Sequence, residues 1–181
     1  MNKNDARITG LKQRSLLTHQ ERSRYSHHIF LQTIPYLHKA HIVGCYISMR
    51  DEVMTDEIVH HCFTMRIPLA VPKTEKDGLH FYEIHSMNDL KPGVFGVQEP
   101  WQGEEINLHD IDTMLVPLSS FDSSLHRTGY GKGYYDHILL DSMSKIGLGF
   151  SCQKVEEIKT DSWDVSLDRV ITENFDDKFG K

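Results

Sequence analysis

The sequence predicts an α/β protein in three layers: one largely parallel sheet with helices on both faces, built as a single domain over residues 1–181. Two observations point there. Helix-periodic segments alternate with short apolar runs along the whole chain, the pattern of a layered α/β domain. Several of those runs, such as His-Ile-Val-Gly-Cys-Tyr-Ile-Ser-Met from residue 41, are apolar without strict alternation, as strands buried on both faces are.

The elements follow in order. Residues 3–17 read as a helix, polar early and closing on Leu11, Leu16 and Leu17. Thr18 and Glu21 form an S/T-x-x-E capping box, so a second helix starts there and is predicted to stop near residue 32, ahead of Pro35. Residues 41–49 read as a strand. Thr55 is placed to cap a helix over 56–65, whose Ile58, Val59, Cys62 and Phe63 share one face. Residues 67–71 read as a strand and 79–84 as an edge strand. Lys91-Pro92-Gly93 and Gln98-Glu99-Pro100 carry turn chemistry. A central strand over 112–118 leads into a polar loop over 119–132. A helix over 133–143, a strand over 145–150 and a last strand over 169–172 complete the reading, with a short flexible tail from about residue 174.

Composition excludes several function classes. Of 181 residues, 39% are apolar and 25% charged, and the formal net charge is −6. A mildly acidic chain with scattered lysines and arginines lacks the basic field that nucleic-acid binding needs. The three cysteines, Cys45, Cys62 and Cys152, are far apart in sequence, so neither a disulfide framework nor a CxxC metal site can be drawn from them. No secretory signal follows Met1, and no apolar run reaches the ~18 residues of a membrane helix. A reducing cytoplasm is the expected location, with no membrane or nucleic-acid partner and a monomer or weak homodimer as the expected state. The twelve histidines include no HExxH, and His27-His28 and His60-His61 are adjacent rather than four apart, so a histidine metal site is not expected.

The chemical signal lies in Leu-Val-Pro-Leu-Ser-Ser-Phe-Asp-Ser-Ser-Leu-His-Arg-Thr-Gly-Tyr-Gly-Lys-Gly-Tyr-Tyr-Asp, from Leu115 to Asp136. A loop leaving a strand's carboxyl end is where ligands gather in open α/β sheets. Gly129, Gly131 and Gly133 alternate there, with Arg127 and Lys132 beside them. Such glycines let backbone N–H groups close on an anion, and a helix starting near Gly133 would aim its positive end at the same place. The set fits a polyphosphate. It is neither a Walker A loop nor a dinucleotide fingerprint. By itself it is equally compatible with a tight connection.

The segment Phe121 to Asp136 resembles the signature of the 5-formyltetrahydrofolate cyclo-ligase family, F-D-x-x-G-x-R-x-G-x-G-x-G-Y-Y-D, departing at Leu125, where the family carries a turn glycine. Further matches run along most of the chain: Lys3 and Arg7; Lys12, Arg14 and Thr18; Ser48 through Glu52; Gly96 through Pro100; Val116-Pro117; and Trp163-Asp164 with Asp168.

The resemblance implies conversion of 5-formyltetrahydrofolate and ATP to 5,10-methenyltetrahydrofolate, ADP and phosphate, with Mg²⁺. It implies nucleotide contacts from Lys3, Arg7, Arg127, Thr128, Gly129, Tyr130, Gly131, Lys132, Gly133, Tyr134 and Tyr135. It further implies folate contacts from Ile47, Glu52, Tyr130, Gly131, Lys132, Gly133 and Tyr134, and metal binding by Asp136 and Asp168. Catalysis falls to Lys132, Arg127 and Tyr134. Without the resemblance, Lys3 and Arg7 would read as a solvated helix face and Trp163 as packing, while Glu52 reads equally as a strand end or a site residue and Asp168 equally as a turn or surface carboxylate or a site residue. Phe95 and Trp101 read equally as folate-pocket or core residues. A phosphosugar- or CoA-handling enzyme, or a folate-binding module without turnover, stands as the alternative.

Overall fold

The structure is a computed structural model and describes residues 1–180. Two helices, α1 (Lys3–Ser15) and α2 (His19–Lys39), lead into strand β1 (Val43–Cys45) and helix α3 (Asp56–Met65). Strands β2 (Leu69–Glu75), β3 (Gly78–Ile84), β4 (Leu90–Pro92), β5 (Gln98–Pro100), β6 (Glu105–Ile106) and β7 (Thr113–Pro117) follow. Then come β8 (Ser120–Phe121), β9 (Arg127–Thr128), β10 (Ser144–Leu148), β11 (Arg169–Ile171) and β12 (Phe179–Gly180).

Eight strands form one mixed sheet in the order β12-β11-β10-β7-β1-β2-β3-β6. Its centre, from β11 to β2, is parallel. β3, β6 and β12 add on antiparallel. This is a single α/β domain with a largely parallel sheet flanked by helices. Chain order reverses between β1 and β7, because β2 lies on one side of β1 while β7, β10 and β11 run off on the other. In open α/β sheets the crevice outside the carboxyl ends of strands at such a reversal is the binding place. The two segments that leave there are 46–55, after β1, and 118–136, after β7.

Alternation along the strands splits the core in two. Leu69 and Val71 of β2, Leu115 of β7 and Ile146 and Leu148 of β10 join α2 (Ile29, Leu37) and α3 (Ile58, Val59, Cys62) in one cluster. Ala70, Met114, Val116 and Val170 point the other way, onto Phe121, Ile138, Leu139, Met143 and Leu167.

Several expectations need correcting. Helix α2 does not stop before Pro35 but runs through it to Lys39. The missing N–H would have paired with the carbonyl of Leu31, a residue 41% exposed, on the side where carbonyls can turn to water. Continuing the helix buries Leu37 fully. The Thr18–Glu21 capping box is present as expected. Thr55 sits at the start of α3 but does not cap it. Its hydroxyl donates to the Tyr46 carbonyl (2.9 Å) and accepts from Ser48 N–H (3.0 Å), which draws 46–55 into a closed loop and ends β1 at Cys45. β3 is not the sheet edge, since β6 pairs outside it.

The turn-like residues near 92 and 99 belong to the β4–β5 hairpin. The expected helix over 133–143 is absent. Leu139 N–H bonds the Tyr135 carbonyl (3.0 Å) in one α-turn that goes no further. Gly133 has no side-chain oxygen to cap a helix, and Tyr134, Tyr135, His137 and Ile138 are weak helix formers. Within the stretch expected as a tail, Phe179 pairs with β11 and packs its ring on Phe121 at 5.3 Å.

Helix α1 lies across the carboxyl side of the sheet on its Ala6, Gly10 and Arg14 face. A methyl group on Gly10 would overlap the Ser119 carbonyl, so glycine there sets how closely α1 approaches. Gly10→Val is expected to cost about 1–3 kcal/mol in denaturant unfolding, as overpacking does. An unshifted unfolding midpoint would contradict this close approach.

Candidate active site

The glycine loop is built from below by Asp122, which is 2% exposed. Its carboxylate accepts from Ser124 and His126 N–H (2.9 and 3.0 Å) and from Ile158 N–H (2.9 Å), so it ties the loop down. Leu125, where the family has glycine, takes the left-handed conformation itself, with φ at 68°. A bulky residue is uncommon there; here it packs against the second core cluster while holding the same turn. Gly131 (φ 89°) and Gly133 (φ 66°) also use conformations that favour glycine. Among the described residues, no backbone N–H from Gly129 to Asp136 donates to a backbone carbonyl. The loop therefore presents free donors to a ligand. They substitute for the helix end expected at Gly133.

A cavity of about 890 Å³ opens over this loop. Lys3 and Arg7 reach it from α1, and the unbroken run from Arg127 through Thr128, Gly129, Tyr130, Gly131, Lys132, Gly133, Tyr134 and Tyr135 to Asp136 lines it. The structure thus brings together every residue expected to contact nucleotide. Arg7 Nε donates to the Gly129 carbonyl (2.6 Å), and its guanidinium lies against Gly131. Lys3 bridges Asp161 (2.6 Å) and Asp164 (2.7 Å). Arg127 Nη2 donates to Asp136 (2.8 Å), while its buried Nε has no partner. Burial pulls the Arg127 guanidinium's pKa down, against the opposing charge of Asp136. Lys132 has its ammonium 4.2 Å from the Phe95 ring centroid.

Three of the expected residues do not line the cavity. Asp168 does not join Asp136: its carboxylate accepts Lys145 N–H (2.7 Å) and pairs with the Lys145 ammonium (3.2 Å). It precedes β11 and so lies at the strands' amino ends, the edge away from the loop. Asp164, four residues earlier, lines the cavity instead. Burial raises its pKa, but hydrogen bonds from Lys3 and the Asp161 N–H outweigh that and hold it low. Ile47 packs against the first core cluster. Glu52 is 5% exposed and sits behind Tyr130, whose hydroxyl donates to it at 2.8 Å. Burial raises the Glu52 pKa, while the Met49 N–H and the Tyr130 hydroxyl pull it back.

Other cavity residues were missed or undecided from sequence. Trp163, read as packing, is 69% exposed and lines the cavity. Phe95, one of the two undecided aromatics, lines it from the tip of the β4–β5 hairpin with φ at 60°. That hairpin is pinned to β2 by Glu99, which accepts Thr74 N–H (3.2 Å). Trp101 instead donates to the Asn88 carbonyl (2.8 Å) and is not part of the lining. Asn4, Met49, Arg50, Thr74 and His137 also face the cavity. Of these, Asn4, one residue from Lys3 on a helix already assigned to the site, and Met49 and Arg50, inside the Ser48–Glu52 match, carried a signal.

The fold and site define an α/β protein with a cationic, glycine-bearing loop at the carboxyl edge of its sheet, lining a cavity that also carries aromatic side chains. The chain belongs to the 5-formyltetrahydrofolate cyclo-ligase family, whose profile matches residues 1–173. It is 30% identical over 135 residues to the 5-formyltetrahydrofolate cyclo-ligase of Haemophilus influenzae, covering 69% of this chain and 72% of that one. It is similar in structure to 5,10-methenyltetrahydrofolate synthetase of Aquifex aeolicus, with a TM-score of 0.85 and 32% identity over 94% of this chain and 89% of that one. The Mycoplasma pneumoniae 5,10-methenyltetrahydrofolate synthetase superposes with a TM-score of 0.79 at 26% identity, over 96% of this chain and all (100%) of that one. Membership supports, at the level of the family, a ligase acting on a formylated tetrahydrofolate.

Proposed function

We propose that this chain converts 5-formyltetrahydrofolate to 5,10-methenyltetrahydrofolate at the expense of ATP, releasing ADP and phosphate. The observation that carries the reading is the cavity in which five cations (Lys3, Arg7, Arg50, Arg127 and Lys132) and a row of glycine-loop N–H groups converge beside aromatic side chains. The cations and N–H groups suit a triphosphate. Phe95, Tyr130, Tyr134 and Trp163 offer faces for flat rings.

The carboxylates facing the cavity fit a hard cation, which takes oxygen ligands. Asp136 and Asp164 would hold Mg²⁺, Asp164 in the place that sequence alone gave to Asp168. The ion supplies charge neutralisation on the phosphate oxygens. Lys132 and Arg127 place the terminal phosphate, and the loop N–H groups take up charge on its oxygens. Held in line, the formyl oxygen attacks that phosphorus and the bond to ADP breaks. The N10 lone pair then attacks the activated carbon, phosphate departs with the formyl oxygen, and the N10 proton is lost. No side-chain nucleophile is needed. Tyr134, half-buried in the loop, positions the reacting group. Glu52 accepts a pterin N–H once the Tyr130 hydroxyl yields its place, with Ile47 beneath it. Three free thiols favour a reducing cytoplasm as its location, and the enzyme acts as a monomer or weak homodimer.

The absorbance of the methenyl product tests the reading directly. Product is expected from 5-formyltetrahydrofolate only when ATP and Mg²⁺ are both present, with one ADP formed per ring closed. Product without ATP, or ADP without product, would contradict it.

A further inference from the structure

Arg14 belongs to no contact assigned above, yet it is 3% exposed, which is rare for arginine unless it is paired. On a helix of 3.6 residues per turn, positions 3, 7 and 14 fall within about 40° of one another. The same stripe of α1 that sends Lys3 and Arg7 to the phosphate side therefore sends Arg14 inward. Its Nη2 donates to Asp51 (2.8 Å) and to the Tyr130 hydroxyl (2.9 Å). Its Nη1 reaches the Leu118 carbonyl at 3.4 Å. Tyr130 in turn donates to Glu52 (2.8 Å), whose other oxygen accepts Met49 N–H (2.9 Å). One guanidinium thus ties together α1, the loop after β1, the end of β7 and the glycine loop.

We propose that Arg14 is a positioning residue for the folate half of the site, holding the Tyr130 hydroxyl and the Asp51–Glu52 turn in register and serving as the countercharge that keeps buried Glu52 ionised. The proposal rests on the reading that the cavity takes a formylated pterin. The groups facing Glu52 are Arg14 from α1, Asp51 beside it, Tyr130 and Tyr135 from the glycine-loop segment, and Tyr46 at the end of β1. In that set Arg14 is the cation. Asp51 and burial both favour the protonated carboxyl, and Arg14 opposes them. When a pterin displaces the Tyr130 hydroxyl, Arg14 remains to hold the acceptor charged.

The test compares Arg14→Met, which keeps the length and loses the charge, with Arg14→Lys, which keeps the charge and loses the fork. The Glu52 carboxyl, followed by carbon NMR in the protein without substrate, is expected to titrate about one pH unit or more higher in Arg14→Met, the size of effect an adjacent opposite charge has. Arg14→Lys should restore most of that shift. In turnover, the acid limb of kcat/KM for 5-formyltetrahydrofolate should move up by a similar amount. KM for the folate should rise about tenfold, against less than threefold for ATP. Should Arg14→Met fail to fold, Arg14→Gln gives the same comparison, since it loses the charge but keeps a hydrogen-bond donor: the Glu52 titration should again move up. An unmoved Glu52 titration in Arg14→Met, or in its absence in Arg14→Gln, overturns the proposal, as do equal rises in the two KM values. The NMR arm needs no substrate, so its failure is distinct from failure of the wild-type protein to make methenyl product, which would overturn the functional reading alone.

Discussion

Lys132→Ala is expected to lower kcat by about 10²–10³-fold, the usual loss when one preorganised charge aimed at a reacting group is removed. The fold should survive. Lys132 is exposed, and the contact it makes is with the Phe95 ring at 4.2 Å, at the cavity rather than in either core cluster. A cation–π contact at such a site is worth about 0.5–1 kcal/mol, so the thermal midpoint should move little. KM for the folate should change much less than kcat, since the lost interaction is made with the phosphoryl group as it moves. Steady-state kinetics beside a thermal melt separates the two. An unchanged kcat would remove Lys132 from the phosphate site.

Asp136→Asn is expected to raise the Mg²⁺ concentration for half-maximal activity by about tenfold or more, because a neutral amide is a far weaker ligand for a hard cation than a carboxylate. It should also destabilise the free protein. Arg127, with its side chain 5% exposed, would lose its charged partner, and its Nε already has none. Breaking a fully buried pair costs about 3–5 kcal/mol. Asp136 is 24% exposed and asparagine still accepts a hydrogen bond, so about 1–2 kcal/mol is expected here. Mg²⁺ titration of activity checks the first effect and denaturant unfolding the second. A normal Mg²⁺ dependence would place the ion elsewhere, with Asp164 the next carboxylate to test.

The parts of this protein that were legible in its sequence are those where local chemistry decides the outcome. Alternating glycines beside two cations leave few options for a backbone, and the run from Arg127 to Asp136 is found lining the cavity. The capping box at Thr18 and Glu21 is a contest among a few atoms close in sequence, and it reads correctly. The strands at the sheet's centre were found because burial on both faces leaves a continuous apolar run.

What sequence could not settle depends on where a segment travels. Asp164 and Asp168 are equally acidic and both belong to the Trp-Asp segment. The chain runs from the cavity to the amino ends of β10 and β11 between them, and only that path decides which of the two lines the cavity. Pro35 marks a helix stop unless tertiary packing rewards continuing, as the burial of Leu37 does. The segment after Gly133 has helical spacing at Tyr135, Ile138 and Leu139 but no cap, and it opens on the weak helix formers Tyr134, Tyr135, His137 and Ile138, so it halts after one turn. Glu52 looked like an exposed strand end or a ligand contact. Its cover by Tyr130 and Arg14, residues 78 and 38 positions away in opposite directions, is visible only in three dimensions.

On the proposed function, the glycine loop after β9 seats the nucleotide's terminal phosphates. Amide hydrogen exchange, measured with and without ATP and Mg²⁺, tests it most directly. The free N–H groups from Gly129 to Asp136 should exchange quickly in the unliganded protein and become protected on binding, together with the amino-terminal turns of α1 that carry Lys3 and Arg7. Protection confined to another part of the chain, with residues 129–136 exchanging as before, would contradict the account.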